Sequence, residues 1–221
     1  MAVDPSSHLS AGARRPSVVV LGQAVDELVR RSTGTRRCPG TGRAGPHGRL
    51  IAIDGRSGAG KSVLADRLAA ALGRRCAGVL HVDDLVAGWQ GLEVGVDRCA
   101  RVVTALDRGL AARAPSWDWR CSAPGDDLLV GPLDGKVLLL EGCGALAAVA
   151  RDLEGLEVVR VLVTAPQPLR LLRIRQRDPY PWDLEAWEEQ ERTVERRWRG
   201  TPWEPELVIV PDRSSPPLTG L

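Results

Sequence analysis

The stretch that decides the fold reads Leu50-Ile-Ala-Ile-Asp54, followed by Gly55-Arg-Ser-Gly-Ala-Gly-Lys61-Ser62. Its first half is a continuous aliphatic run, which is typical of a buried strand. Its second half matches Gly-x-x-x-x-Gly-Lys-Ser/Thr, a pattern that stands between a strand and a helix. Glycines let such a loop turn so tightly that consecutive N–H groups, with the N-terminus of the next helix, point at a phosphate. The sequence therefore predicts a nucleotide phosphate site at residues 55–62.

The last two positions of this loop have expected tasks in nucleotide chemistry. Lys61 would hold the β- and γ-phosphates of ATP, and the Ser62 hydroxyl would ligate Mg²⁺. A dinucleotide-binding loop is excluded because no glycine stands three residues after Gly60. The predicted cofactors are ATP and Mg²⁺, and the predicted nucleotide contacts are Gly55, Ser57, Gly58, Ala59, Gly60, Lys61, Ser62 and Val63.

Beyond this loop, short aliphatic runs alternate with stretches of helical periodicity. Strands are predicted at residues 50–54, 79–83, 137–141, 158–163 and 207–210. Helices are predicted at residues 61–72, about 96–113, 144–153, 168–177 and 184–199. Continuous Val/Ile/Leu strands are typical of sheets that helices cover on both faces. We therefore predict an α/β protein, a three-layer α/β/α sandwich of the P-loop NTPase class with a mainly parallel five-stranded sheet.

The N-terminal quarter and the end of the chain differ in composition from this core. Residues 1–16 are rich in Ser, Ala, Pro and Arg without periodicity, and we predict a disordered tail there. Residues 17–48 combine a helical spacing of apolar residues with a Gly/Arg/Pro-rich stretch, which predicts an N-terminal helix and a flexible loop. The main domain is expected at residues 49–212, and residues 213–221 are expected to form a second tail.

The composition limits the partners that the protein is expected to have. Its 30 Lys and Arg against 28 Asp and Glu give a formal charge of +2, too balanced for coating nucleic acid or an anionic membrane. The five cysteines fall singly, without the spacing of a zinc site, which favours reduced thiols. No apolar run reaches the length of a signal-peptide core or a membrane span. We expect a cytoplasmic protein with a small-molecule partner, and its oligomeric state stays open.

Acidic residues stand at the ends of two predicted strands. Asp83 and Asp84 follow one strand, and Glu141 ends another. Phosphoryl transfer needs one acid to organise Mg²⁺ and one carboxylate to accept the proton of the acceptor hydroxyl. Because the carboxyl ends of parallel strands face the ligand crevice, these acids are expected to converge on residues 55–62. The alternative is that they cap helices or face water, and the choice between Asp83 and Asp84 as the base stays open.

Six segments together carry a resemblance to a known family. They are residues 54–62, 83–91 (Asp-Asp-Leu-Val-Ala-Gly-Trp-Gln-Gly), 117–119 (Trp-Asp-Trp), 140–142 (Leu-Glu-Gly), 173–178 (Arg-Ile-Arg-Gln-Arg-Asp) and 187–191 (Trp-Glu-Glu-Gln-Glu). Over roughly residues 50–210 the chain resembles the uridine kinase-like P-loop kinases, a group that includes phosphoribulokinase-like proteins. The resemblance implies an ATP-dependent kinase that phosphorylates a hydroxyl of a small molecule, with a nucleoside as the first choice.

The resemblance also implies roles for single residues. It makes Asp83 the base near the acceptor hydroxyl, although Leu85 and Val86 replace the aromatic pair of the family. It makes Glu141 an acid that organises Mg²⁺, so that the implied metal site consists of Ser62, Glu141 and Asp83. Residues 117–119 correspond to a nucleoside-lining segment, with simple packing of the tryptophans as the alternative. The substrate contacts expected here are Asp84, Asp118, Trp119 and Arg120.

A basic segment near residues 168–182 looks like the lid of the same family. Arg170, Arg173 and Arg177 share one face of the predicted helix there. Arginine can grip a transferring phosphoryl group when a lid closes, so Arg173 and Arg177 join Lys61 and Asp83 as catalytic candidates. The alternative is a solvated basic helix that pairs with acids of residues 185–191. The three histidines, His8, His47 and His81, are expected to be structural.

Three functions remain open from the sequence. The first is a nucleoside kinase, and the second keeps the same machinery with another small alcohol as acceptor, such as pantothenate or glycerate. The third is a non-catalytic, ATP-binding regulator, which would need neither a base nor a basic lid. A GTPase with the guanine-reading Asn-Lys-x-Asp motif is excluded, because the chain contains no asparagine.

Overall fold

The computed structural model describes residues 16–33, 46–178 and 180–211. Its strands are β1 (Ser17–Val20), β2 (Gly48–Asp54), β3 (Cys76–His81), β4 (Ala112–Ala114), β5 (Trp117–Asp118), β6 (Ala123–Pro124), β7 (Leu128–Val130), β8 (Val137–Glu141), β9 (Leu156–Val163) and β10 (Leu207–Val210). Its helices are α1 (Leu21–Thr33), α2 (Lys61–Leu72), α3 (Leu92–Asp107), α4 (Ala145–Ala148), α5 (Gln167–Arg177) and α6 (Leu184–Glu195), with single 3₁₀ turns at Gly73–Arg75 and Val82–Leu85.

Six parallel strands form the central sheet in the order β1-β10-β9-β2-β8-β3. Because β2 lies between β9 and β8, the loop that follows it opens at the middle of the carboxyl edge. The predicted fold class is confirmed, but the predicted number of strands, five, was wrong. The sixth strand is β1, which pairs with β10 from Ser17 opposite Leu207. Its three consecutive valines, residues 18–20, favour an extended strand over the helix predicted there.

Helices cover both faces of this sheet, and side chains alternate between two buried layers. Ile51 and Ile53 of β2 pack with Leu64 of α2 and Leu28 of α1 on one face. Leu50 and Ala52 point to the opposite face, where α3, α4 and α6 supply the partners. The three-layer sandwich follows from this alternation, since every central strand is apolar on both sides.

The helix boundaries differ from the sequence prediction mainly around α3 and α4. Helix α3 begins at Leu92 and ends at Asp107, where Gly109 with φ of 71° belongs to the turn that follows. Helix α4 has four residues instead of the predicted ten. Asp83 lies in the 3₁₀ turn after β3 and not at the end of a strand. Each of these shifts occurs at the carboxyl edge of the sheet or at its return turns.

Two small antiparallel ribbons interrupt the chain between α3 and β8. Strand β4 pairs with β7, and β5 pairs with β6. The β5–β6 turn brings Trp119 close to Asp83 in the turn after β3. Within the described ranges, no helix combines the length and apolarity needed to cross a membrane. The tails predicted at residues 1–16 and 213–221 lie almost wholly outside the described residues.

Candidate active site

The loop between β2 and α2 has the backbone conformation that its glycines predicted. Gly55 and Gly58 have φ of 147° and 76°, in the left-handed region that favours glycine. A Cβ atom at Gly58 would lie 2.5 Å from the carbonyl oxygen of Arg170, so an alanine would not fit. In the described part of the chain, no backbone carbonyl accepts a hydrogen bond from the N–H groups of Gly58, Gly60 or Ser62. These groups are therefore available to an anion.

Two arginines of α5 hold the outer carbonyl groups of the same loop. Arg170 donates through Nη1 to the carbonyl oxygen of Ser57 at 3.0 Å, and it pairs with Glu188 at 3.0 Å. Arg173 donates through Nη1 to the carbonyl oxygens of Gly58 and Ala59 at 3.1 and 3.2 Å. Since peptide carbonyls that point outward leave the N–H groups pointing inward, these contacts support the shape of the phosphate nest.

Lys61 is buried at the base of the loop and lies among acids. Its Nζ atom donates to the carbonyl oxygen of Arg56 at 3.3 Å and contacts Cys143 Sγ at 3.5 Å. Burial works to lower the pKa of Lys61, but negative neighbours that include Glu141 and Asp83 outweigh it and raise the pKa above its ordinary value. Burial raises the pKa of the Cys143 thiol well above its usual range, so the thiol is neutral and the carboxylates hold the charge on Lys61.

The carboxylate of Asp54 joins the loop to the neighbouring strand. It is buried at the end of β2 and accepts hydrogen bonds from the N–H groups of Gly55 at 2.6 Å, Gly144 at 3.1 Å and Leu146 at 2.9 Å. Burial raises the pKa of Asp54, and the three N–H groups oppose that rise. Asp54 therefore fixes the relative position of the loops that follow β2 and β8.

Glu141 places a carboxylate directly beside the Ser62 hydroxyl. Its Oε1 atom accepts from Ser62 Oγ at 3.2 Å and lies 2.5 Å from Nδ1 of His81. Burial would raise the pKa of Glu141, but the hydrogen bond with His81 and the charge of Lys61 outweigh burial and hold the pKa below its ordinary value. The same hydrogen bond raises the pKa of His81. Each group therefore stabilises the charged form of the other.

Ser62 and Glu141 fit a magnesium ion on their donor chemistry. Both offer oxygen, and Glu141 Oε2 is buried without a hydrogen-bond partner among the described residues, which calls for an ion or a water. Over the same residues, no group of three or more His, Cys, Asp and Glu side chains could hold a metal alone. This agrees with Mg²⁺ in nucleotide sites, which uses one or two protein ligands with phosphates and waters.

A cavity of about 420 Å³ opens beside the loop, and Asp83 lines it together with Lys61, Ser62 and Glu141. Asp83 is exposed to this cavity, and the walls of the cavity desolvate its carboxylate in part. That partial desolvation raises the pKa of Asp83, Glu141 adds to the rise, and Lys61 opposes it. Asp84 lines a different cavity, between β3 and β7. Of the two neighbouring acids, Asp83 alone borders the loop cavity.

Five aromatic side chains line the same cavity, and we call them the aromatic wall: Trp89, Trp119, Tyr180, Trp182 and Trp187. Trp89 is their centre, with ring centroids 5.0 Å from Trp182 and Trp119, 6.0 Å from Trp187 and 6.5 Å from Tyr180. The chain has seven tryptophans, one tyrosine and no phenylalanine. Five of its eight aromatic residues therefore surround one cavity, which ordinary core packing does not require.

Comparison with known proteins supports the fold. Neither a protein-family model nor a curated protein matches the chain. Among solved structures, a possible uridine kinase from Bacillus stearothermophilus aligns with a TM-score of 0.51 and 18% identity, and a proposed fructose transport system kinase from Silicibacter sp. aligns with 0.55 and 20%. Both alignments cover 86% of this chain and 98% of the other. The chain has the P-loop kinase fold. At these identities the likeness concerns the fold alone.

The P-loop kinase fold brings some of the predicted substrate residues together and leaves others apart. Trp119 lines the cavity, and its Nε1 atom donates to the carbonyl oxygen of Asp83 at 2.9 Å. Asp118 accepts through Oδ1 from the N–H groups of Arg120 and Cys121 at 2.8 and 3.2 Å, so it shapes its own turn. Neither Asp118 nor Arg120 lines the cavity. In this geometry Trp119 is the member of that segment placed to contact a ligand.

The three arginines that were predicted for a lid also differ in position. Arg170 and Arg173 contact the P-loop backbone, whereas Arg177 lines the cavity and pairs with Asp178 at 2.7 Å. Val63 lies exposed in the first turn of α2. Among the three arginines, Arg177 is the one that borders the cavity between the loop and the aromatic wall.

Several site residues had no assigned role from the sequence. His81 was expected to be structural, yet it pairs with Glu141, its register partner in the neighbouring strand. The parallel pairing of these two strand ends would have indicated the contact. Cys143 and Glu191 contact the loop through tertiary structure. Glu191 lies in residues 187–191, which carry part of the family resemblance, but the sequence assigned it no role.

The His81–Glu141 pair predicts a pH-dependent contribution to stability. Because the folded pKa of His81 is raised, the contribution is full below the unfolded pKa of about 6.5 and is lost as pH rises through the folded pKa. His81→Gln should therefore lower the free energy of unfolding at pH 6 by less than about 1 kcal/mol, since the imidazole is partly exposed. Urea unfolding at pH 6 and pH 9 checks this, and an equal loss at both pH values would contradict it.

Proposed function

We propose that the protein is an ATP- and Mg²⁺-dependent kinase that transfers the γ-phosphoryl group to a hydroxyl of a nucleoside. One observation carries the proposal: the loop lysine, the Ser62–Glu141 oxygen pair, Asp83 and the aromatic wall border the same cavity. A phosphoryl donor site, a proton acceptor and a wall for a flat acceptor thus lie within one space. The resemblance of the sequence to uridine kinase-like proteins points the same way.

The residues divide the reaction between them. Asp83 accepts the proton of the acceptor hydroxyl while the acceptor oxygen forms its bond to the γ-phosphorus and the bond from that phosphorus to the β-bridging oxygen breaks. Lys61 and the loop N–H groups neutralise the charge on the transferred group and on the leaving ADP, and Arg177 borders the same space. Bound Mg²⁺ supplies charge neutralisation, and Ser62 and Glu141 would hold it.

The aromatic wall favours a nucleoside over the other small alcohols. A nucleobase presents a flat π-face to an indole, and base–aromatic stacking contributes about 1–3 kcal/mol per base. Glycerate and pantothenate lack an aromatic ring and would leave the wall without a partner. Asp83 and Lys61, which line the same cavity, are polar and suit a sugar hydroxyl. We therefore place the base against the wall and the sugar beside Asp83.

The regulator alternative differs in what it needs. A protein that uses ATP only as a switch requires the loop and the metal ligands, but neither a carboxylate such as Asp83 nor an aromatic wall in the cavity beside the loop. Both features are present in this chain, which supports catalysis over regulation.

ADP formation tests the proposal with a panel of acceptors. The purified chain is incubated with ATP and Mg²⁺ together with uridine, cytidine, adenosine, guanosine, pantothenate or glycerate, and the product is identified by mass spectrometry. We expect ADP release that depends on a nucleoside and yields a nucleoside monophosphate. Turnover with pantothenate or glycerate alone would move the assignment to the second kinase function. Binding of MgATP without turnover on any acceptor would favour the regulator.

The aromatic wall makes a prediction about acceptor affinity. Trp89→Ala removes the ring that contacts all four other rings of the wall, so the KM for the best nucleoside should rise about 5- to 150-fold, the equivalent of 1–3 kcal/mol. The KM for ATP should change little, because the four rings that contact Trp89 all lie outside residues 55–62. Trp203→Ala, outside the wall, is the matched control. Equal effects of the two variants on the KM for the nucleoside would contradict the assignment.

A further inference from the structure

Glu191 of α6 contacts the P-loop from a position 134 residues later in the chain. Its Oε1 atom accepts from the Ser57 N–H and Oγ–H groups, both at 2.8 Å, and from Cys143 Sγ at 3.1 Å. Glu191 is only 4% exposed. A carboxyl group buried to this extent is costly unless it is hydrogen-bonded, so its contacts with Ser57 constitute a specific structural element.

All three polar groups of Ser57 form hydrogen bonds. Glu191 binds its N–H and hydroxyl groups, and Arg170 binds its carbonyl oxygen. Gly58 and Gly60, which follow in the same loop, donate to no backbone carbonyl in the described part of the chain. Arg173 of α5 in turn binds the carbonyl oxygens of Gly58 and Ala59, so the outer side of the loop is held while these N–H groups remain available for phosphate. Ser57 precedes these residues directly, and Glu191 is the contact that holds its N–H group.

Trp187 connects this anchor to the acceptor cavity. It lies four residues before Glu191 on α6, and its Nε1 atom lies 3.2 Å from both Ser57 Oγ and Glu191 Oε1. Its ring belongs to the aromatic wall and lies 6.0 Å from Trp89. One indole thus contacts the cavity through its ring and the P-loop through its N–H group.

We infer that Trp187 and Glu191 are positioning residues that couple the acceptor cavity to the P-loop through Ser57. An acceptor that packs against the wall restricts the ring of Trp187, and that restriction reaches the loop through the hydrogen bonds of Ser57. Because binding free energies are reciprocal, nucleotide bound in the loop favours the acceptor by the same factor. The acceptor half of this inference rests on the proposed function, whereas the anchoring of the loop by Glu191 does not.

Calorimetric titration with the non-transferable analogue MgAMP-PNP, with and without uridine, tests the coupling. In the unmodified protein, uridine should lower the Kd of MgAMP-PNP about 5- to 150-fold, the usual range for coupled sites. Trp187→Phe keeps an aromatic ring but lacks the N–H donor. Trp187→Phe should raise the Kd of MgAMP-PNP without uridine about five-fold, the effect of one lost hydrogen bond. The Kd values of this variant with and without uridine should be nearly equal. Trp203→Phe is the matched control.

The role of Glu191 is tested with two substitutions, for which the Kd of MgAMP-PNP is measured without uridine. Glu191→Ala leaves the N–H group of Ser57 without its acceptor and should raise the Kd of MgAMP-PNP at least about ten-fold. Glu191→Gln retains a carbonyl acceptor and should recover part of that loss. Glu185→Gln, on the exposed surface of the same helix, should bind like the unmodified protein. Circular dichroism melts confirm that each variant is folded. If Glu191→Ala does not fold, the Kd of Glu191→Gln for MgAMP-PNP tests the anchoring role.

The outcomes separate this inference from the proposed function. If the unmodified protein binds uridine and Trp187→Phe retains the full effect of uridine on nucleotide affinity, the coupling is wrong. If both Glu191 variants bind MgAMP-PNP like the unmodified protein, the anchoring role is wrong. If the unmodified protein does not bind uridine at all, the proposed acceptor is wrong. If, in addition, Trp187→Phe binds MgAMP-PNP with an unchanged Kd, the inference about Trp187 is wrong as well.

Discussion

Lys61→Ala is expected to lower kcat/KM by about 10³-fold or more with the best nucleoside. The ammonium group lies at the base of the loop, and the acids around it raise its pKa, so it is fully charged at neutral pH. Removing a preorganised charge from a phosphoryl-transfer site costs several orders of magnitude in rate. Steady-state release of ADP measures the effect.

The chain offers a matched control for this substitution. It contains two lysines, and the second, Lys136, is exposed and distant from the cavity. Lys136→Ala should retain the kcat/KM of the unmodified protein. Turnover of Lys61→Ala within ten-fold of the unmodified protein would contradict the role of the loop in transfer, provided that both variants show cooperative unfolding.

Asp83→Asn is expected to reduce kcat about 10²- to 10⁴-fold while the Kd of MgATP changes by no more than a few-fold. Asparagine has the same shape but cannot accept the proton of the acceptor hydroxyl, and general base catalysis contributes about this factor. Asp84→Asn is the companion variant, since Asp84 lines a separate cavity. Rapid-quench measurement of a single turnover separates the chemical step from binding. If Asp84→Asn loses turnover and Asp83→Asn retains it, the base is Asp84.

The pH profile gives the same assignment a second test. The base acts in its ionised form, so kcat falls as pH drops through the pKa of Asp83. Desolvation raises that pKa above the usual value for an aspartate, and the loss should therefore begin at a higher pH than for a fully solvated carboxylate. A kcat that stays constant down to pH 4 would contradict the role of Asp83.

The fold could be predicted because its signals are local. The aliphatic runs of the central strands and the spacing of glycines in residues 55–62 depend only on neighbouring residues, and they located β2, β8 and α2 correctly. Strand β1 was missed because its three valines precede a helical pattern without a turn residue between them. Periodicity over the whole segment then favoured a helix, whereas the edge of β10 gave the valines a strand to pair with.

The candidate site could be predicted only in part, since much of it is tertiary. The rings of the aromatic wall come from four separate segments, and no spacing rule places Trp89 beside Trp182. In the basic segment, periodicity predicted a helix, and α5 contains Arg170, Arg173 and Arg177. Periodicity could not indicate that the first two contact carbonyl groups of the P-loop while Arg177 borders the cavity.

The gathering of indoles around one cavity has a practical consequence for spectroscopy. Four of the seven tryptophans lie in the aromatic wall, so a large share of the intrinsic ultraviolet emission originates within contact distance of an acceptor. A molecule that enters this space changes the polarity around several emitters at once. The tryptophan fluorescence of the protein therefore reports whether the cavity is occupied. Unlabelled candidate acceptors can be screened by the shift of the emission maximum and the change in intensity.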